Sequence, residues 1–240
     1  MTKYWISSER SVDITHAEDN NVVHFTVDDK DVAVSAGQTI LEAVQRMPGI
    51  GTIPALCYHP SVQPYGACRL CTVEVSEDEG KSFRFVAACL YPVKEGIIVK
   101  TNTDRIKKLR KGIIELLLAR CPDAVVVREL ADEYGVEKPR FSLGDQNCIL
   151  CGLCVRACQE IIGKSAISLV NRGIYKEVAA PFYAYELGDG CIGCGDCVHV
   201  CPTGAITMGD DGKPILPRVR IPYAEISAMV SPEELSASQG

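Results

Sequence analysis

Two stretches of this chain constrain it more than all the rest. Residues 148–158 read CILCGLCVRAC, and residues 191–201 read CIGCGDCVHVC, followed by Pro202. Each is C-x2-C-x2-C-x3-C. Three evenly spaced cysteines can curl a loop around three corners of a tetrahedral iron–sulfur cubane, and the fourth ligand has to come from elsewhere. Where two such runs pack together, the last cysteine of each serves the other's cluster. The pattern therefore predicts two [4Fe–4S] sites folded against each other. Cys148, Cys151, Cys154 and Cys201 form one expected ligand set, and Cys191, Cys194, Cys197 and Cys158 the other. Gly152, Gly193 and Gly195 let backbone amides come close to the sulfurs. The alternatives are disulfides and zinc. Zinc takes about four ligands as two separated pairs, which fits poorly with even triplets that occur twice.

The two runs are not identical. Cys158 is followed by Gln159 rather than proline, and 32 residues separate it from Cys191. A minimal two-cluster ferredoxin needs fewer, so this insertion is expected to have its own structure and to offer a contact surface.

Four more of the thirteen cysteines, Cys57, Cys68, Cys71 and Cys89, are spread as C-x10-C-x2-C-x17-C. A long loop, a close pair and a distant fourth ligand suit a [2Fe–2S] rhomb on a small sheet, although the first interval is longer than the plant-type C-x4-C. Zinc is again the alternative. The surroundings favour the cluster. VHFTV (23–27) and DVAVS (31–35) alternate as half-buried strands do, on either side of a DDK turn. Thr39 can cap a helix with Ile40, Leu41, Val44 and Met47 on one side, stopped by Pro48 and Gly49. CTVEV (71–75), FRFVAAC (83–89) and GIIVKT (96–101) are further strand candidates. Together they predict a small mixed sheet packed on one helix.

Residues 101–120 form the strongest helical pattern, started by Thr103 or Asp104, with Ile106, Leu109, Ile113, Leu116 and Leu117 on the expected apolar face. Residues 125–135 predict a second helix, with Val127, Leu130, Ala131 and Tyr134 aligned and Gly135 ending it. The expected organisation is an N-terminal arm (1–20), a [2Fe–2S] domain (21–100), a helical connector (101–140), a two-cluster [4Fe–4S] domain (141–211) and a Pro-rich C-terminal arm (212–240). The fold class is α+β, with a β-grasp [2Fe–2S] domain followed by a ferredoxin-like domain.

The first twenty residues lack the apolar core of a signal peptide, and no apolar run approaches the roughly 18 residues that span a bilayer. A cytoplasmic, reducing setting follows as an expectation, where thirteen cysteines point to metal rather than disulfides. The formal net charge is −6. With three clusters bound it would fall to about −12. That disfavours nucleic acid, which needs a basic face, and favours either basic docking surfaces on partner proteins or simple solubility.

Several features have plainer readings. GDGCIG (188–193) matches G-x-G-x-x-G, but Cys191 inside it is an expected cluster ligand, so no dinucleotide site is assigned. His59 and His199 lie beside ligand cysteines and are read as surface residues or as donors that tune a cluster. No catalytic residue is assigned.

The segment IPALCYHPSVQPYGACRLCTVEV (53–75), then AAC (87–89), then the two cysteine runs in this order, resembles the N-terminal part of the large iron–sulfur subunit of respiratory complex I. It is more similar still to the small iron–sulfur subunit of the diaphorase part of NAD-reducing hydrogenases and NAD-linked formate dehydrogenases. The resemblance covers about residues 21–210. It implies a non-catalytic conduit for single electrons between a flavin- and NAD(P)-binding diaphorase subunit and a catalytic subunit of hydrogenase or formate dehydrogenase type. The family usually carries a further cluster after the long helix, held by His-x3-Cys-x2-Cys-x5-Cys. Here that place reads LLLARCPDAVVVRELADEYG (116–135), with no histidine and only Cys121. Cys121 is therefore read as a remnant or a buried thiol, or else as a ligand offered to a partner's cluster. A freely diffusing ferredoxin and an iron–sulfur redox sensor are the rival functions.

Overall fold

The structure is a computed structural model that describes residues 22–47, 49–143, 147–181 and 187–217. The expected N-terminal arm, Pro48 and the larger part of the C-terminal arm lie outside these residues. The chain divides into two compact units. One runs to Glu115 and includes Glu129–Glu137; the other holds Leu116–Arg128 and everything from Lys138 onward.

The first unit is a five-stranded sheet with a helix on it. Strands β1 (Val22–Val27) and β2 (Lys30–Ser35) pair antiparallel, Val22 opposite Ser35 and Val27 opposite Lys30. Asp28 and Asp29 turn the chain with φ of 47° and 64°, the left-handed pair that a two-residue hairpin loop needs. The Asp28 carboxylate is held by the Thr101 N–H at 2.7 Å. Helix α1 (Ile40–Gln45) starts with a full capping box: Thr39 Oγ1 accepts from the Glu42 N–H at 3.3 Å, and the Thr39 N–H donates to Glu42 Oε2 at 2.8 Å. Its Ile40, Leu41, Ala43 and Val44 are buried.

Strands β3 (Thr72–Ser76), β4 (Arg84–Ala87) and β5 (Ile98–Lys100) complete the sheet in the order β2-β1-β5-β3-β4, with β1 and β5 parallel and the other pairs antiparallel. This is a β-grasp arrangement. Phe25, Val27, Ile40, Leu41, Val44, Val73, Val75, Ile97 and Val99 form its core. Strand β3 is buried on both faces. Val73 and Val75 enter the core, while Thr72, Glu74 and Ser76 are buried on the other side.

Helix α2 (Asp104–Arg120) begins at Thr103, whose Oγ1 accepts from the Ile106 N–H at 3.2 Å. Its buried face differs from the expected one. Ile106, Arg110, Ile114 and Leu118 are buried, and Leu116 is 53% exposed. The stripe is rotated because an arginine occupies one of its inward positions. Helix α3 (Val125–Tyr134) buries Val127, Leu130 and Ala131 and ends at Gly135, whose φ is +65°.

The second unit repeats one small pattern. A cysteine run leads into the short helix α4 (Leu153–Arg156) and a π-turn over Ala157–Ile161, followed by a two-stranded hairpin of β6 (Ser168–Val170) and β7 (Glu177–Ala179). The second run leads into α5 (Asp196–His199) and a hairpin of β8 (Thr207–Met208) and β9 (Pro214–Ile215). Ile167, Val178, Ala180, Leu187, Ile206 and Leu216 pack with Cys154 and Cys197 into one core. The segment between the runs thus contributes a hairpin and part of this core. Among the described residues no helix is long and apolar enough to cross a membrane.

Candidate iron–sulfur sites

The first cysteine set lies in and beside the irregular loop that joins α1 to β3. Cys57, Cys68, Cys71 and Cys89 are all buried, with at most 7% exposure. None of the thirteen cysteines is in a disulfide. The Leu56 N–H points at Cys68 Sγ (3.4 Å) and the Cys68 N–H at Cys57 Sγ (3.3 Å). Gly66 suits the loop through its φ of +69°, a left-handed conformation that favours glycine.

The four sulfurs form a chain of contacts, from Cys68 to Cys57, to Cys89 and to Cys71. Hydrogen bonds from Cys68 and then Cys89 pull the Cys57 thiol down to about 2, against burial. Contact with Cys89 lowers Cys71. Their partners move the other way: Cys68 is raised first by Cys57 and then by burial, and Cys89 by Cys57 and then Cys71. The site thus gathers four cysteine sulfurs and aims amides at Cys57 and Cys68, in the donor set that a [2Fe–2S] cluster takes.

A guanidinium stands behind this loop. Arg110 is 2% exposed. It donates Nε–H to the Leu70 carbonyl and Nη2–H to the Thr72 carbonyl, each at 3.0 Å, and Nη1–H to the Tyr134 hydroxyl at 3.4 Å. The two carbonyls flank Cys71. On the same strand, Glu74 is occupied by Thr103 (2.7 Å) and by an ion pair with Arg105 (2.8 Å).

The other eight cysteines lie in the second unit. The Leu150 N–H points at Cys148 Sγ (3.4 Å) and the Ala166 N–H at Cys158 Sγ (3.3 Å). Gly193 has a φ of +68°, and a Cβ there would sit 2.7 Å from the Gly212 carbonyl oxygen, so the second loop closes only with glycine. The thiols group across the two runs. Cys154 is raised well above its usual value by burial, then by Cys151, Cys148 and Cys201, and least by Cys197 of the other set. Cys197 is pushed up to about 11 by burial, then by Cys194, helped by Cys158 and Cys191. A cavity is lined by Cys158, Cys191, Cys194 and Cys197, with Ile162, Ile167 and Leu187 among its apolar walls. Cys158 therefore stands with the second run, and the Cys201 charge reaches the first. Sulfurs grouped in this way, with amides directed at Cys148 and Cys158, suit cubane clusters. When bound, such clusters would supply one-electron carriers.

The two histidines do other things. His59 Nδ1 accepts from the Ser61 N–H at 3.2 Å, and His199 is exposed at the end of α5. Residues 187–195 contain no strand, so GDGCIG lacks the setting of a dinucleotide loop. Sequence reasoning missed Arg110 and Arg120. For Arg110 a signal was present, since it falls between Ile106 and Ile114 at four-residue spacing.

Residues 20–104 match the family described as a 2Fe-2S iron-sulfur cluster binding domain. Residues 147–205 and 190–227 match a 4Fe-4S dicluster domain. The NADPH-Fe(3+) oxidoreductase subunit alpha of Geobacter sulfurreducens is 36% identical over 77% of this chain and 24% of its own length. The NADP-reducing hydrogenase subunit HndD of Solidesulfovibrio fructosivorans is 32% identical over 78% of this chain and 36% of its own. The chain thus spans about a quarter to a third of these curated relatives. A chain of a solved NAD+-reducing [NiFe]-hydrogenase in the H2-reduced state matches with a TM-score of 0.63 and 30% identity, over 76% of this chain and 85% of that one. In fold, cluster domains and sequence, the chain belongs to the family of iron–sulfur subunits found in complex I-type oxidoreductases and NAD(P)-linked hydrogenases.

Proposed function

We propose that this chain is a non-catalytic relay that passes single electrons between a flavin- and NAD(P)-binding diaphorase subunit and a catalytic subunit of hydrogenase or formate dehydrogenase type, in a cytoplasmic complex. Cys57, Cys68, Cys71 and Cys89 hold the [2Fe–2S] cluster, taken as the flavin-side entry. Cys148, Cys151, Cys154 and Cys201 hold one [4Fe–4S] cluster, and Cys191, Cys194, Cys197 and Cys158 the other. The observation that carries this reading is the crossed grouping of the second unit, where Cys158 lines one cavity with the three ligands of the other run. A chain with three one-electron sites and no hydride-accepting cofactor needs a flavin elsewhere to split an electron pair.

The test uses anaerobically purified native complex. NAD(P)H added to the isolated chain is expected to leave the visible cluster absorption unchanged, while dithionite bleaches it. Adding back the co-purifying flavin subunit restores bleaching by NAD(P)H. Direct bleaching of the isolated chain by NAD(P)H would make it an enzyme in its own right and end the relay reading.

A further inference from the structure

Arg120 closes helix α2, and its guanidinium reaches the first cysteine run. Nε–H donates to the Cys148 carbonyl at 2.8 Å. Nη2 is buried and has no hydrogen-bond partner. Among the described residues no carboxylate pairs with Arg120; the ion pairs engage other cations. An arginine cannot shed its proton to escape burial. A buried cationic N–H without an acceptor is costly unless an anion answers it. The Arg120 charge thus stands at the backbone of an expected cluster ligand.

We infer that Arg120 is a positioning residue that fixes the Cys148 loop and supplies the countercharge for the [4Fe–4S] site of Cys148, Cys151, Cys154 and Cys201. This rests on the ligand sets proposed above. Four thiolates around a cubane leave a net negative site, and one added electron makes it more negative. A fixed positive charge at the ligand loop favours the reduced form. Net charge and hydrogen bonding are among the factors that set cluster potentials. Arg120 therefore raises the potential of this cluster and leaves the other two alone.

The experiment is an EPR-monitored redox titration, with dithionite as electron donor, of the anaerobically purified chain and two variants. Arg120→Gln can keep an N–H on the Cys148 carbonyl but removes the charge; Arg120→Lys keeps the charge and loses the fork. In Arg120→Gln one [4Fe–4S] signal is expected to become at least about tenfold harder to reduce, a shift of about 59 mV to more negative potential. The [2Fe–2S] signal and the other [4Fe–4S] signal should stay in place. Arg120→Lys should titrate close to the parent protein.

Full iron content with no shift in Arg120→Gln overturns the inference, and so do equal shifts in both [4Fe–4S] signals. If Arg120→Gln loses a cluster, Arg120→Lys decides: retention near the parent potential supports the charge role, and loss there too makes Arg120 a scaffold residue only. Absence of [4Fe–4S] signals in the parent chain would instead defeat the proposed ligand sets.

Discussion

Cys121 sits in the four-residue turn between α2 and α3, with no measurable exposure. Its N–H donates to the Leu117 carbonyl at 2.8 Å, and its carbonyl accepts from the Ala124 N–H at 3.3 Å. Such burial suits the reading of Cys121 as a buried thiol that behaves as a small apolar residue. Cys121→Ser is therefore expected to leave iron content and the reduced-state EPR spectrum unchanged. It should lower stability by about 1–3 kcal/mol, because it buries a hydroxyl, and Cys121→Ala should cost less. Disappearance of any cluster signal in Cys121→Ser would refute this. Arg110 makes the opposite prediction. Arg110→Met leaves the Leu70 and Thr72 carbonyls without their donor, at about 1–3 kcal/mol for each group left bare. The denaturant midpoint at which the [2Fe–2S] absorption vanishes should fall clearly. Arg110→Lys should recover only part of it, since one ammonium does not reproduce the fork. An unchanged midpoint in Arg110→Met would mean that the clamp carries no stability.

At the scale of elements, the crossed grouping brings two sequence-distant pieces together: the π-turn that carries Cys158 and the loop that carries Cys191, Cys194 and Cys197. Cys158→Ala should therefore damage the cluster of the second run and spare that of its own sequence neighbours. A three-iron signal assigned to the second run is the expected product. Damage confined to the cluster of Cys148, Cys151 and Cys154 would disprove the crossing. Much of this architecture was legible beforehand. The hairpin of β1 and β2 showed in its alternation around the DDK turn, and α1 showed in Thr39 ahead of Ile40, Leu41 and Val44. The candidate ligands showed because cluster loops fix spacing along the chain itself. Other features were hidden for physical reasons. The parallel pairing of β1 with β5 joins Thr26 to Ile98, and no local periodicity encodes a partner so far along the chain. Strands of two or three residues, such as β6 to β9, are too short to alternate. The face of α2 was misjudged because Arg110 looks solvent-seeking until the carbonyls that receive it are known. Arg110 and Arg120 escaped notice as site residues because they act from a helix on the backbone of distant loops.

At the scale of the whole molecule, the question is how many iron atoms the chain carries. Cluster types inferred from the three cysteine sets give about ten irons and about ten acid-labile sulfides per chain. A chain that kept the histidine-ligated cluster of the resembled family would give about fourteen. Between Arg120 and Val125 there are only Cys121, Pro122, Asp123 and Ala124. One thiolate in so short a turn offers neither the ligands nor the length to wrap a cubane. Val127, Leu130 and Ala131 of the following helix are spent on apolar burial instead. In the proposed relay, electrons exchanged between the [2Fe–2S] site and the ferredoxin-like pair would then bypass this position, directly or through a cluster held by a partner. Anaerobic iron and sulfide analysis of the fully loaded chain should return values near ten. Values near fourteen would mean that a fourth cluster exists, and would make Cys121 the first residue to examine as its ligand.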